Sequence, residues 1–418
     1  MGSKDLDPKL AKAIIHKLGS FGTPPEFGIE YFSVGVDNYL TAIEEEYLQG
    51  ILKFNLSSFK LITGNYGGGK THFLYLVRNI GWRNNYLSSY VTLSPTECPF
   101  DRLELVYRAV VQNLRIPASE LRWEEPWETG IEILLRAFVK SAQGNVLEHI
   151  RSYESSSFTN AIKAATMNLL NDDDEGFLEV VQWLKGEDLP RELKLRYRIS
   201  ERVDRSNAFR MLRSLVQFVN SIGYSGVLLL FDEAERGMSI SSARDKRRAL
   251  DNLRQLVDEC GNSRLPGAMF FYAIPDENLL LEGSGGVYEA LKQRLRSSFT
   301  RVNPMGVRIN MEEIGMSAHD FLKDLGGKLQ TVFETAYGST LEHDVSNESL
   351  KNMIEAALEF QTLDVSYRRI FVVSVIGIFH RLKERMSVIN RDEARDIFRS
   401  KVRMLADIEK TEIESEEF

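Results

Sequence analysis

The chain is poor in the side chains that usually bind metal ions or carry nucleophilic chemistry. Its only cysteines are Cys98 and Cys260, and six histidines are scattered over 418 residues. The metal-binding patterns C-x-x-C and H-E-x-x-H are absent, and so is the G-x-S-x-G elbow of serine hydrolases. We therefore expect neither a cysteine–histidine metal site nor a serine hydrolase.

The chain also lacks long apolar runs and an excess of positive charge. No apolar run approaches the roughly 20 residues that a membrane-spanning helix needs. The formal net charge is −8 and the pI is about 5.5, so contact with double-stranded DNA would need a local basic patch. The first residues do not resemble a signal peptide. With so few cysteines, these features predict a soluble cytoplasmic protein.

Three consecutive glycines, by contrast, occur in one short segment, "GNYGGGKTH" at residues 64–72. The segment matches G-x-x-x-x-G-K-[ST] and lies between an apolar strand pattern and a helical pattern, which is the context that a phosphate-binding loop requires. Glycines let the backbone N–H groups surround a phosphate. Lys70 would reach the β- and γ-phosphates, and the Thr71 hydroxyl would hold Mg²⁺. The alternative is an ordinary glycine turn that caps a helix.

The segment as a whole is predicted to bind ATP. The predicted nucleotide-binding residues in it are Gly64, Asn65, Tyr66, Gly67, Gly68, Gly69, Lys70, Thr71 and His72.

A second acidic motif follows the apolar run "GVLLLF". Such a run predicts a strand that is buried on both faces, as in a parallel sheet. Asp232 and Glu233 come directly after it, as in a Walker B element. Asp232 would hold Mg²⁺, and Glu233 would polarise the attacking water as general base. The alternative is an acid pair that only caps the next turn. A small-molecule kinase would not need Glu233, and the N-K-x-D base reader of GTPases is absent, so an ATPase fits best.

Strand and helix patterns alternate through the middle of the chain. Strands are predicted at 59–63, 86–95, 227–231 and 267–274, with helices between them. This alternation predicts an α/β fold with a doubly wound, mostly parallel sheet, as in P-loop ATPases of the AAA+ type.

Three domains are predicted from the same patterns. They are an N-terminal segment at 1–58, an ATPase core at 59–310 with a helical insertion at about 115–205, and an all-helical C-terminal domain at 311–418.

Several stretches together resemble a known family. They are "FGTPPEFGIEYFSVG", "GNYGGGKTHFL", "VTLSP", "LLLFDEAE" and "FFYAIPDENLL" followed by "GGVYEALKQRL". In this order they resemble the ATP-binding proteins of bacterial BREX phage-defence systems, P-loop ATPases related to the origin-recognition group of AAA+ proteins. The resemblance covers about residues 20–310 without the insertion. It implies an ATPase subunit of a multi-protein defence complex, whose nucleotide state controls assembly with partner proteins or on DNA.

The resemblance also implies roles for individual residues. In origin-recognition ATPases the segment before the first core strand covers the base, so Val34 and Gly35 are expected to lie against the adenine. AAA+ proteins place arginines that contact the γ-phosphate about twenty residues after the fourth core strand, where Arg294 and Arg296 occur. The alternative is that these arginines only keep a helix face soluble.

One departure from the AAA+ pattern bears on turnover. The fourth core strand ends at Ala273-Ile274, where AAA+ proteins carry a polar sensor residue. The polar group is missing or displaced to Asp276, which favours slow hydrolysis of ATP.

A second function stays open at this point. The chain could be a DNA-binding module that uses ATP mainly as a structural ligand, contacting DNA through basic clusters at 244–248, 292–301 and 368–385. Clusters of this kind are more often solvated faces. The sequence leaves open the partners, the state of homo- or hetero-oligomerisation, and the role of the insertion.

Overall fold

The structure is a computed structural model. It describes residues 6–117, 128–142, 145–238, 242–281, 286–361, 366–385 and 387–416. The chain divides into two compact units. The first unit comprises Met1–Asp37, Gly64–Leu76 and Asn310–Phe418, and the second comprises Asn38–Thr63 and Val77–Ile309. The three predicted domains are continuous stretches of the sequence, and they stay a prediction.

A mostly parallel β-sheet forms the centre of the second unit. In chain order the strands are β1 (Ser58–Thr63), β2 (Tyr86–Thr92), β3 (Leu114–Arg115), β4 (Gly226–Asp232), β5 (Ala268–Ile274) and β6 (Arg308–Asn310). Their order across the sheet is β3-β2-β4-β5-β1-β6. The pairs β2–β4, β4–β5 and β5–β1 are parallel, and β3 runs antiparallel to β2. The predicted α/β class and mostly parallel sheet are confirmed, and the two short strands β3 and β6 were not predicted.

The two units contain helices of very different lengths. In chain order they are α1 (Pro8–Phe21), α2 (Asp37–Ala42), α3 (Lys70–Arg83), α4 (Leu103–Gln112), α5 (Ile131–Ser141), α6 (Ser156–Leu170), α7 (Asp174–Leu184), α8 (Arg191–Arg196), α9 (Ala208–Ser221), α10 (Ala234–Met238), α11 (Ala243–Gly261), α12 (Asn278–Leu281), α13 (Gly286–Leu295), α14 (Ala318–Tyr337), α15 (His343–Gln361), α16 (Tyr367–Arg385) and α17 (Arg391–Glu416). A π-helical segment, Ile43–Leu48, continues α2.

The central strands are buried because their side chains are apolar on both faces. Every residue of β4 and β5 is buried. This is the pattern expected of strands that have neighbours on both edges and elements on both faces. The register aligns Phe231 of β4 with Tyr272 of β5, and Tyr272 with Leu61 of β1. Parallel pairing in this register brings the carboxyl ends of β1, β4 and β5 to one edge of the sheet.

The segment predicted as a helical insertion is helical and shares the core of the second unit. It contains α5 to α8 within its described residues. Leu134, Phe158 and Trp183 of these helices are fully buried and belong to the same apolar cluster as Phe218 of α9 and Leu229 of β4. The insertion is therefore part of the hydrophobic core of this unit.

The C-terminal residues of the first unit form helices. Helix α1 packs on α14 and α16 through its apolar stripe of Ala11, Ile14, Ile15 and Leu18. Helix α15 packs on α16 and α17. The described residues after 311 contain no strand. None of the helices in the described part of the chain is long and apolar enough to cross a membrane.

A buried lysine in β1 is the least expected feature of the sheet. Lys60 is completely buried, and its Nζ donates to Tyr47 Oη at 2.6 Å and to the carbonyl oxygen of Gly306 at 2.5 Å. The ammonium also lies 4.2 Å from the centre of the Tyr47 ring and 4.6 Å from that of Phe299. None of these partners is a carboxylate, so burial alone acts on the charge and lowers the pKa of Lys60 to about 7.

This pKa predicts a distinct pH dependence of stability. The unfolded chain binds a proton at Lys60 up to its ordinary pKa of 10.5, whereas the folded chain releases it near pH 7. Unfolding therefore takes up a proton between these values, and the free energy of unfolding should rise with pH by up to about 1.4 kcal/mol per unit from this residue. Urea titrations from pH 7 to 10 should show this rise in the wild type but not in Lys60→Met.

The exposed Lys53 supplies the matched control, since Lys53→Met should keep the wild-type slope. Parallel curves for the wild type and Lys60→Met would contradict a depressed pKa.

Candidate functional site

The glycine-rich segment forms the connection between β1 and α3. Gly67 and Gly69 have φ values of 72° and 98°, in the left-handed region that favours glycine. The Nζ of Lys70 donates to the carbonyl oxygen of Gly64 at 2.6 Å and to that of Asn65 at 3.2 Å. The lysine thus folds back over the loop it follows, with its ammonium held at the loop carbonyls.

The four glycines of this loop meet different surroundings. A Cβ on Gly68 would lie 2.7 Å from Glu312 Oε1, and one on Gly67 would lie 2.8 Å from Ser366 Cβ. A Cβ on Gly64 would lie 2.9 Å from Met311 Cβ, whereas one on Gly69 would meet no atom within 4 Å. Three glycines are therefore required by close packing within the first unit. The side of the loop at Gly69 is open.

The other loop residues are less buried. Tyr66 is exposed, and the Nζ of Lys70 lies 5.4 Å from the centre of its ring. Asn65 is exposed, and Thr71 is half-buried in the first turn of α3. Tyr66 therefore presents an aromatic face beside the lysine ammonium.

The segment predicted to cover the adenine lies beside the start of α3. Ser33 Oγ and His72 Nε2 are 2.6 Å apart, and the ring of Phe32 is 5.1 Å from the ring of His72. Burial lowers the pKa of His72 to about 4, so the imidazole is neutral at pH 7. The next residues in the chain are Val34, which is buried, and Gly35, which has a φ of 77°. Contact of these two with adenine stays a prediction.

The acidic motif ends β4 in the second unit. Asp232 is almost completely buried, with Oδ2 accepting from Tyr90 Oη at 2.6 Å and Oδ1 accepting from the backbone N–H of Glu233 at 3.0 Å. Glu233 has a φ of 50°, which is uncommon for a residue other than glycine, and is half exposed. Its Oε2 accepts from Arg236 Nη1 at 2.7 Å. The two carboxylates are thus held in different ways, Asp232 by a tyrosine and Glu233 by an arginine.

The sheet places this motif at the edge from which the glycine loop departs. Thr63, the last residue of β1, pairs with Ile274, the last residue of β5. Asp232 is one residue beyond the Phe231–Tyr272 pair of β4 and β5. Ligands of open α/β sheets bind at this carboxyl edge.

The strand between them offers no polar side chain at its end. Ala273 and Ile274 are completely buried. Asp276 is exposed, and its Oδ1 accepts from the backbone N–H of Asn278 at 3.0 Å at the start of α12. The side chain of Asp276 therefore caps a helix.

The two predicted arginines differ in their surroundings. Arg294 donates from Nε to Asp258 Oδ1 at 2.5 Å and from Nη1 to the carbonyl oxygen of Ala290 at 2.8 Å. Arg296 is exposed and lies one residue past the end of α13. Contact of either with a nucleotide stays a prediction.

A metal site built from the protein alone is not apparent. The described residues contain no group of three or more histidine, cysteine, aspartate or glutamate side chains that could hold a metal ion. Asp232 fits a nucleotide-bound Mg²⁺ in another way, since a carboxylate at the end of a strand is the kind of oxygen ligand that Mg²⁺ takes together with substrate phosphates.

Sequence reasoning missed the residues that hold these groups. Tyr90 and Arg236 contact the acidic motif, and Glu312 and Arg368 contact the glycine loop. Arg368 was grouped with a basic cluster, and its position at the first turn of an apolar helix was the one available signal.

Comparison with known proteins gives one result that spans most of the chain. The family model described as "BREX system ATP-binding protein BrxC/D" matches residues 6–122 and 129–396. No curated protein matches the chain.

The contacts of Arg294 predict a role in stability. Arg294→Ala should lower the free energy of unfolding by about 0.5–1 kcal/mol, since it removes a partly exposed ion pair and a hydrogen bond to Ala290. Arg296→Ala, the matched control at an exposed position, should change it by less than about 0.5 kcal/mol. Urea denaturation at pH 7 measures both, and equal values would show that the pair with Asp258 contributes nothing.

Proposed function

Because the chain belongs to the family of BREX system ATP-binding proteins, we propose that it is an ATP-hydrolysing, AAA+-like switch subunit of a defence complex against phage. The observation that carries the proposal is the glycine loop after β1 together with an acid pair at the same edge of the parallel sheet. The doubly wound AAA+-like core is part of this proposal, supported by the strand order β2-β4-β5-β1.

The residues of the loop bind the phosphates in this proposal. The backbone N–H groups on the open side at Gly69 surround the phosphate oxygens. Lys70 exchanges its bonds to the loop carbonyls for bonds to the β- and γ-phosphates, which are stronger because both partners are charged. The Val34–Gly35 segment covers the adenine.

The acid pair carries the hydrolytic step. Asp232 and the Thr71 hydroxyl would hold Mg²⁺, which neutralises the charge that develops on the phosphates. Glu233 accepts a proton from the attacking water. Arg236 donates to this carboxylate and competes with the water for its oxygens, and no polar side chain at Ile274 assists it. Both features favour slow turnover.

Two substitutions test binding and hydrolysis separately. Lys70→Ala should weaken binding of a fluorescent ATP analogue at least about ten-fold, because it removes the charge on the phosphates. Glu233→Gln should keep the affinity but lower the rate of ATP hydrolysis by about a hundred-fold or more, since only the base is lost. Lys53→Ala and Glu97→Gln, at exposed positions, are the matched controls.

Two outcomes would overturn the proposal. Unchanged affinity in Lys70→Ala would show that the loop is a turn that binds no phosphate. Hydrolysis at the wild-type rate in Glu233→Gln would show that Glu233 is not the general base.

The switch function concerns assembly with other defence proteins or with further copies of this chain. If Arg294 or Arg296 contacts a γ-phosphate, ATP should promote association and ADP should not. Arg294 would first have to leave Asp258. Light scattering on Glu233→Gln with ATP or ADP measures the mass. A monomer in both conditions, unchanged by Arg294→Ala or Arg296→Ala, would contradict a γ-phosphate contact from these arginines.

The alternative function is DNA binding with ATP as a structural ligand. Arg244, Lys246 and Arg247 are exposed in the first turns of α11. Their exposure favours DNA binding through this cluster over binding through arginines that are buried or paired with acids. The slope of DNA affinity against salt concentration separates the two functions, since phosphate contacts release counterions.

A further inference from the structure

An arginine of the C-terminal helices contacts the backbone of the glycine loop. Arg368 lies in the first turn of α16, and its side chain is only 12% exposed. Its Nη1 donates to the carbonyl oxygens of Gly68 and Met311, both at 3.0 Å. Its guanidinium carbon lies 4.9 Å from the centre of the Phe321 ring. The arginine is therefore fixed by the loop, by the chain after β6 and by an aromatic ring of α14.

A glutamate completes the contact from the same side. Glu312 Oε2 lies 3.1 Å from Arg368 Nη2, and Glu312 Oε1 accepts from the backbone N–H of Asn65 at 3.2 Å. The same Oε1 occupies the space in which a Cβ on Gly68 would lie. Glu312 thus bridges the loop and the arginine.

These contacts have a simple relation to the shape of the loop. Residues 65–68 form a turn that is closed by a hydrogen bond from the N–H of Gly68 to the carbonyl oxygen of Asn65, at 2.9 Å. The outward N–H of Asn65 and the outward carbonyl of Gly68 are the groups that Glu312 and Arg368 hold. Both ends of the turn are fixed by one ion pair.

The pair differs from an ordinary surface ion pair. Exposed pairs contribute little to stability. Here the arginine is largely removed from water, and three of its contacts are to the turn, to Met311 and to Glu312. Removal of either charged side chain would take away one of the hydrogen bonds that the backbone of the turn makes.

We propose that Glu312 and Arg368 are positioning residues that hold the 65–68 turn in its nucleotide-binding shape and couple occupancy of the loop to helix α16. The inference rests on the proposed function, in which the loop binds ATP. Because phosphate binding moves or fixes the turn, it must also change the free energy of the contacts with α16, and the effect is reciprocal.

Nucleotide affinity tests the positioning role. Glu312→Leu and Arg368→Met should each weaken binding of a fluorescent ATP analogue about ten-fold, because each releases one end of the turn. Glu312→Gln should weaken it less, about three-fold, since the amide oxygen still accepts from Asn65. The control is Arg395→Met, which breaks the exposed pair with Glu359 between α15 and α17 and should leave the affinity unchanged.

The reversed pair separates positioning from simple stabilisation. Glu312→Arg combined with Arg368→Glu restores the attraction of opposite charges. Arginine at 312 offers no acceptor for the N–H of Asn65, and glutamate at 368 offers no donor for the carbonyl of Gly68. The double variant should therefore recover thermal stability relative to Arg368→Glu alone while its ATP affinity stays about ten-fold weak.

Amide hydrogen exchange of residues 367–371 measures the coupling. ATP analogue should change the protection of these amides in the wild type but not in the reversed pair. Wild-type affinity in Glu312→Leu, or recovery of affinity in the reversed pair, would overturn the inference and leave the proposed function intact. Failure of the wild type to bind the analogue would overturn both.

Discussion

Parallel strands all end at the same edge of their sheet, and this rule joins two motifs that lie far apart in the sequence. The glycine loop departs from the end of β1, and the acid pair ends β4, with β5 paired between them. An antiparallel pairing at either interface would send one of the two motifs to the opposite edge. The parallel pairing of the buried, apolar β4 and β5 therefore places Asp232 at the edge where β1 ends.

The glycines of the loop are subject to two separate requirements. Phosphate binding requires open backbone amides, which Gly69 provides on a side without neighbouring atoms. Close packing within the first unit requires that Gly64, Gly67 and Gly68 carry no side chain. Packing thus accounts for the glycines at 64, 67 and 68, and the proposed phosphate contact accounts for Gly69.

Much of the architecture could be predicted from the sequence, because long elements have strong patterns. The apolar run of β4 predicted a buried strand, and helical spacing after residue 311 predicted helices. The structure contains both. The strands β3 and β6 were missed, since two or three residues are too few for an alternation to be recognised. The loop motif could be recognised as well, because its residues are neighbours in the sequence.

The missed residues of the site have a different cause. Glu312 contacts Asn65 although they lie 247 residues apart in the sequence, and Tyr90 contacts Asp232 from another strand. Neither contact leaves a pattern in a single sequence, because an isolated glutamate or tyrosine is equally consistent with a solvated surface. Arg294 shows the converse, since the sequence marked it as a candidate but could not show that Asp258 engages it.

The packing of α1 on α14 and α16 has a consequence for synthesis on the ribosome. The apolar stripe of α1 is made before its partners, which end at residue 385. At about 5–20 residues per second, the stripe waits roughly twenty to seventy seconds for them. During that time an amphipathic helix without its partner is a natural substrate for chaperones. The first unit closes only after residue 385 has been made, so a nascent chain that stops before this point leaves the helix uncovered.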